Sequence, residues 1–143
     1  MTTNKKIIER FCTELWHNHN LSIIDEVFHE DAIIHSPFNI KQGSITMHDA
    51  AKKWLESFPD LEITINDLIA EDDKVVARWT AHGTHMGSFF DTTPTHNAVT
   101  YSGVTTFEFK EGKVAEYWSL VDINAILAQL REFDHMSEAL GES

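Results

Sequence analysis

The stretch Gly112–Asp122 combines residues that can do acid/base chemistry with the pattern of a β-strand. Strand alternation places five side chains on one face: Val114, Glu116, Trp118, Leu120 and Asp122. Three of these five carry polar atoms, and an unpaired carboxylate is costly in a dry core. The face therefore suits the wall of a pocket, and Asp122 is the candidate catalytic residue.

Asp122 has two interpretations. As a general base, it removes a proton next to a carbonyl, and the resulting enolate attacks a second carbonyl of the same substrate. Burial raises the pKa of a carboxyl toward neutrality, where a base works best. Alternatively, Asp122 precedes Ile123-Asn124-Ala125 and serves as the N-cap of the last helix, worth about 1 kcal/mol. The two roles are compatible.

Two histidines are further catalytic candidates. His85 or His35 is predicted to stabilise the developing oxyanion or to relay the proton; the alternative is a histidine that only satisfies a hydrogen bond. His82 and His85 have H-x-x-H spacing, but residues i and i+3 of a strand point to opposite faces. We therefore predict no metal site at these histidines.

Several other residues are candidates for substrate binding: Trp118, Tyr101, Arg78, Glu116 and Trp54. Arg78 and Glu116 are expected in the same sheet, where a structural ion pair between them is the favoured interpretation because buried charges need partners. Tryptophans also fill cores, so core packing is the favoured role for Trp54, whereas Trp118 shares its predicted face with Asp122.

The elements that must position these residues follow from the hydrophobic spacing. Helices are predicted over Ile7–Trp16, Ser22–Phe28, Thr46–Phe58 and Asp122–Leu130, and strands over Asp31–Pro37, Leu61–Ile69, Lys74–Ala81, Ala98–Lys110 and Gly112–Asp122. Phe38–Ser44 is predicted to be a loop. This order indicates an α+β domain with helices on one face of a curved antiparallel sheet.

Length and composition narrow the class further. The 143 residues form one predicted domain, 1–143, in which 132–143 is a loose polar tail. A net charge of −12 without a basic stripe argues against nucleic acid and anionic membranes. No segment has the apolar length of a membrane helix. The single cysteine, Cys12, excludes an internal disulfide and suits a reducing compartment, so we expect a cytoplasmic protein.

Three groups of residues resemble a known family. They are Ala77–Gly87 with Pro94-Thr95, Gly112–Trp118 with Asp122, and Phe58-Pro59-Asp60. Together they resemble the SnoaL-like polyketide cyclases, or ester cyclases, of the nuclear transport factor 2-like superfamily. The resemblance implies a cone-shaped, curved antiparallel sheet with helices packed on its concave face, a deep pocket and a homodimer formed through the sheet.

The same resemblance implies that Asp122 acts as acid/base in an intramolecular aldol condensation without cofactor or metal, with His85 assisting. Thr95-His96 stands where many members have Thr-Gly, which alters the expected substrate shape. We therefore expect a cyclase- or isomerase-type enzyme acting next to a carbonyl of a small, mostly apolar substrate. The alternative is a non-catalytic small-molecule-binding domain with the same pocket, and an epoxide hydrolase is a third hypothesis.

Overall fold

The computed structural model describes residues 3–38 and 40–139, with side chains for all of these except 40 and 132–139. Its helices are α1 (Thr3–Cys12), continued by a π-helical turn (Thr13–His17), α2 (Ile23–Val27), α3 (Ser44–Ser57) and α4 (Ile123–Ala139). Its strands are β1 (Phe28–His35), β2 (Ile40–Gln42), β3 (Glu62–Glu71), β4 (Lys74–Thr84), β5 (Ala98–Lys110) and β6 (Lys113–Val121).

The helices form where the sequence pattern predicts them. The apolar stripe of α1 and the π-helical turn buries Ile8, Phe11 and Leu15 against the sheet. α3 ends at Ser57 because Phe58 precedes a proline and leaves the helical region. α4 continues to Ala139, so it extends through most of the segment predicted as a tail; 140–143 lie outside the described residues.

The six strands form one curved, unclosed sheet in the order β2-β1-β6-β5-β4-β3. This confirms the predicted α+β class, with two corrections. β1 and β6 pair in parallel, which local alternation cannot reveal because the two strands lie far apart in the chain. The predicted loop before α3 contains the short strand β2, which pairs with the end of β1.

A β-bulge in β6 changes the face on which its side chains lie. Phe109 of β5 is opposite Val114, but the preceding Glu108 is opposite Glu116, so Ala115 is an extra residue in β6. Val114 and Tyr117 consequently both point into the core. The predicted face, with Val114 and Glu116 on the same side, is wrong because the bulge reverses the alternation.

The core lies between the sheet and the helices α1, α2 and α3. α4 covers the end of β5, where the Gln129 amide donates to the Thr100 carbonyl at 2.7 Å and accepts from its N–H at 2.9 Å. Within the described part of the chain, none of the helices has the length and apolar character needed to cross a membrane.

Candidate functional site

A cavity opens between the sheet and the helical layer. Its lining consists mainly of apolar and aromatic side chains: Phe11, Cys12, Trp16, Trp54, Leu61, Ile63, Ile65, Ala77, Trp79, Tyr101, Thr105, Phe107, Tyr117, Ser119 and Val121. The cavity volume is about 40 Å³, and the empty space including the mouth reaches about 550 Å³. One water molecule needs about 10–15 Å³ of such cavity volume, so a cavity of about 40 Å³ holds roughly three water molecules. A larger ligand requires the aromatic walls to move.

The sheet side of the cavity carries a group of hydroxyls that we call the hydroxyl cluster, formed by Thr105, Ser119 and Tyr117. Thr105 and Ser119 are register partners on β5 and β6, and their hydroxyl oxygens lie 3.5 Å apart. Tyr117 interacts with both through its hydroxyl. The Trp79 Nε1–H donates to Thr105 Oγ1 at 2.9 Å. The hydroxyl cluster is therefore positioned by the pairing of β5 with β6 and by the hydrogen bond from the Trp79 indole.

Gly103 makes room for the Trp79 side chain. It stands opposite Trp79 on the neighbouring strand, and a Cβ added there would lie 2.3 Å from Trp79 Cζ2. The indole thus lies directly over the glycine backbone, which permits its N–H to reach Thr105.

The ionisable residues of the cavity wall are all held in their neutral forms. Burial raises the pKa of the Cys12 thiol to about 12. Burial also raises the pKa of Tyr117 to about 12, although the neighbouring Ser119 and Thr105 hydroxyls oppose the shift. Burial raises the pKa of Tyr101 as well. The described lining contains no Asp, Glu, His, Lys or Arg, so the wall offers neutral hydrogen-bonding groups.

Two of the predicted substrate-binding residues lie in this wall. Trp54 of α3 and Tyr101 of β5 stack with ring centroids 5.6 Å apart and an interplanar angle of 20°. Trp54 also contacts Phe38 and Phe89 on its other sides. The pair joins the helical layer to the sheet at the cavity.

His35, Glu116 and Trp118 lie on the opposite face of the sheet, which we call the outer face. His35 Nε2 is 2.8 Å from Glu116 Oε2, and its ring stacks on Trp118 at 5.3 Å with an angle of 3°. All three side chains are half-buried. The bulge places Glu116 and Trp118 outside, so neither they nor His35 line the cavity.

Arg78 also lies on the outer face. Its Nε and Nη2 atoms are each 2.6 Å from Asp67 Oδ2, and both side chains are exposed. The predicted ion pair between Arg78 and Glu116 is therefore wrong: each has another partner.

His85 is completely buried, with 0% of its surface exposed, whereas His82 is exposed beside Glu62. The Thr95 N–H donates to His85 Nδ1 at 3.1 Å, so neutral His85 carries its proton on Nε2. That Nε2 has no hydrogen-bond partner among the described residues. Burial lowers the pKa of His85. Its ring packs 5.9 Å from Phe58, which itself contacts both Trp54 and Tyr101 of the wall.

Asp122 is exposed and caps α4. Its Oδ1 accepts a hydrogen bond from the Ala125 N–H at 3.1 Å, as the capping interpretation expects. The preceding residue, Val121, lines the cavity. Asp122 thus follows the wall without forming part of it, and its catalytic role remains a prediction.

Strand alternation in β5 puts Tyr101 and Thr105 on the same face, and both line the cavity. The sequence interpretation missed Ser119 and Tyr117, because they become neighbours of Thr105 only after the bulge. The sequence did contain one signal: Glu116 and Trp118, at alternate positions of β6, have polar atoms that suit a solvent-facing side of the strand. Their pattern fits a β6 register shifted by one residue.

Fold and cavity together define a nuclear transport factor 2-like α+β protein. A family model described as SnoaL-like polyketide cyclase matches residues 6–130. The chain belongs to this family. The comparison with curated proteins gives no significant match.

Several solved structures share the fold. AclR from Streptomyces galilaeus, described provisionally as a hydroxylase, is 28% identical with a TM-score of 0.79, covering 92% of this chain and 98% of its own. TsrD from Streptomyces laurentii is 23% identical with a TM-score of 0.81, covering 91% and 97%. A SnoaL-like polyketide cyclase from Agrobacterium tumefaciens is 22% identical with a TM-score of 0.75, covering 91% and 99%. The latter two similarities concern the fold alone.

Proposed function

We propose that the protein binds an uncharged, mostly apolar small molecule carrying a carbonyl or hydroxyl oxygen in the concave cavity, whose aromatic walls move apart to admit it. The observation that carries this proposal is the composition of the wall: aromatic side chains surround a few hydroxyls, and the described lining has no charged residue. Sites for small organic ligands combine these features. A carboxylate ligand would lose its hydration without gaining a cationic partner.

Titration by NMR with two bicyclic probes tests this proposal. We expect the neutral ketone 1-tetralone to shift resonances of cavity residues at pH 7.5, and the anion 1-naphthoate to leave them unchanged. Ala77→Leu narrows the cavity and should abolish binding, whereas Val76→Leu, on the other face of β4, should not. Tighter binding of 1-naphthoate, or no binding of 1-tetralone, would refute the proposal.

A second candidate function is cofactor-free proton transfer of the cyclase or isomerase type. Family membership supports it. In the structure Asp122 is exposed and caps α4, so its carboxylate must turn toward the cavity to reach the ligand. In this reaction the Asp122 carboxylate takes a proton from the carbon next to the ligand carbonyl, leaving an enolate, and later returns it. His85 is the candidate group for stabilising the enolate, after movement of the intervening Phe58.

Deuterium exchange at C2 of 1-tetralone in D₂O measures this proton transfer directly. We expect wild-type protein to accelerate the exchange and Asp122→Asn to remove the acceleration, because asparagine retains the helix cap but has no basic carboxylate. Exchange at the wild-type rate in Asp122→Asn would eliminate Asp122 as the base. Binding without accelerated exchange in the wild type would favour the binding function.

We further propose that the chain forms a homodimer through the outer face. Leu120 is 75% exposed there beside its register partner Val104, and Ile33 adds a third exposed apolar side chain. Analytical ultracentrifugation should show a dimer that Leu120→Lys dissociates and Ile45→Lys, on α3, does not. A monomeric wild type at micromolar concentration would refute the proposed homodimer.

The predicted cytoplasmic location is tested by cell fractionation.

A further inference from the structure

We propose that the Thr105 and Ser119 hydroxyls form the subsite that binds the oxygen atom of the cavity ligand and thereby determine its specificity. This inference rests on the proposed binding function and assigns a chemical task to two residues that had no predicted role. The ligand it specifies carries an acceptor oxygen, such as a ketone or ester carbonyl, at the sheet side of an apolar body.

Thr105 has a hydroxyl whose hydrogen-bonding capacity is only partly used. Its side chain is buried, and its oxygen already accepts the Trp79 Nε1–H at 2.9 Å. A hydroxyl has one proton to donate. Because the indole occupies part of the acceptor capacity of Oγ1, this contact limits the directions in which the Thr105 proton can point.

Ser119 lies too far from Thr105 for a strong hydrogen bond. The two hydroxyl oxygens are 3.5 Å apart, and either atom can be the donor. Hydroxyl pairs normally approach to about 2.7–2.8 Å, so this contact is weak. A ligand oxygen that accepts from either hydroxyl replaces a poor hydrogen bond with a good one.

Both residues of the pair stand on a paired backbone. Thr105 and Ser119 face each other across β5 and β6, so the backbone ladder fixes the two Cα positions from which the hydroxyls project. The neighbouring Tyr117 hydroxyl adds a third neutral group to the cluster. Preorganised donors lose little conformational entropy on binding, and neutral donors favour a carbonyl over a carboxylate.

The experiment compares 1-tetralone with tetralin, which lacks only the carbonyl oxygen, by NMR titration. We expect the wild type to bind the ketone about three- to tenfold more tightly, as one hydrogen bond to a ligand allows. Thr105→Val and Ser119→Ala should each reduce that ratio toward one. Thr105→Ser, which keeps a hydroxyl, and Ser102→Ala, exposed on the outer face of β5, should preserve it.

The outcomes separate the subsite from the cavity. If both probes bind the wild type equally, or if the ketone preference survives in Thr105→Val and Ser119→Ala, the subsite assignment is overturned while ligand binding stands. If neither probe binds, the proposed binding function fails and the subsite with it. Urea unfolding of each variant confirms that the titrated protein is folded.

Discussion

Substitution of Gly103 by alanine tests the packing that positions the hydroxyl cluster. The added Cβ would lie 2.3 Å from Cζ2 and 2.7 Å from Cη2 of Trp79, and 2.6 Å from the Leu120 carbonyl oxygen. Gly103 is not among the glycines with positive φ, so alanine meets a steric obstacle and no unfavourable backbone conformation. The indole must therefore leave its place over β5, or the two strands must separate.

The expected cost has two parts. Overpacking a filled interior costs about 1–3 kcal/mol, and displacing the indole breaks its hydrogen bond to Thr105, worth about 0.5–1.5 kcal/mol. We expect Gly103→Ala to lower the free energy of unfolding by about 2–4 kcal/mol. For a domain of this size, that corresponds to a melting temperature lower by about 6–12 °C.

Urea denaturation of four proteins forms the assay: wild type, Gly103→Ala, Trp79→Leu and the double variant. Because Trp79→Leu removes the ring that the new Cβ would contact, Gly103→Ala should cost less in that background than in the wild type. Part of the cost should remain, since the Leu120 carbonyl is still close. Ser102→Ala, the adjacent exposed position, should change stability by under about 0.5 kcal/mol. Wild-type stability in Gly103→Ala, or equal costs in both backgrounds, would refute the described contact.

Three further predictions concern individual side chains. Because burial lowers the pKa of His85, the unfolded chain takes up a proton near pH 6.5 before the native protein does. The free energy of unfolding should therefore fall as the pH is lowered from about 6.5 toward the native pKa of His85. This fall should be smaller in His85→Gln, whereas His82→Gln should show the same fall as the wild type. Asp122→Ala should cost about 1 kcal/mol in chemical denaturation because the Ala125 N–H loses its cap, while Asp122→Asn should cost much less; equal costs would contradict capping. Native Cys12, with its thiol pKa raised to about 12, should react with iodoacetamide at pH 8 about 10³-fold more slowly than in 8 M urea; equal rates would show an accessible thiolate.

Sequence periodicity predicted the fold where the chain follows a regular repeat. The predicted strand Ala98–Lys110 is β5, and its alternation puts Tyr101, Thr105 and Phe107 on one face, where all three line the cavity. β4 alternates in the same way, with Val75, Ala77 and Trp79 buried and Arg78 exposed. In such strands successive side chains alternate between the two faces of the sheet, and this alternation determines which residues form the core and the cavity wall.

The candidate site was harder to predict because it depends on pairing between distant strands. One extra residue, Ala115, exchanges the two faces of β6. The local sequence gives little warning, since Leu120 is apolar although it is exposed, and Ser119 is polar although it lines the cavity. The parallel pairing of β1 with β6 is equally non-local, and it brings His35 to Glu116.

The bulge also removes the energetic cost of a buried carboxylate in β6. Regular alternation would have put the Glu116 carboxylate inside a pocket, where its desolvation demands a buried cation. With the bulge, Glu116 lies on the outer face beside His35, where both groups keep part of their hydration. The inward positions then pass to Tyr117 and Ser119, whose hydroxyls can be buried at lower cost once they are hydrogen-bonded. A neutral cavity with a few hydroxyl groups is thus a direct consequence of one additional residue in the strand. Because the wall is neutral, it fits the binding of an uncharged ligand better than catalysis by a charged residue of the wall.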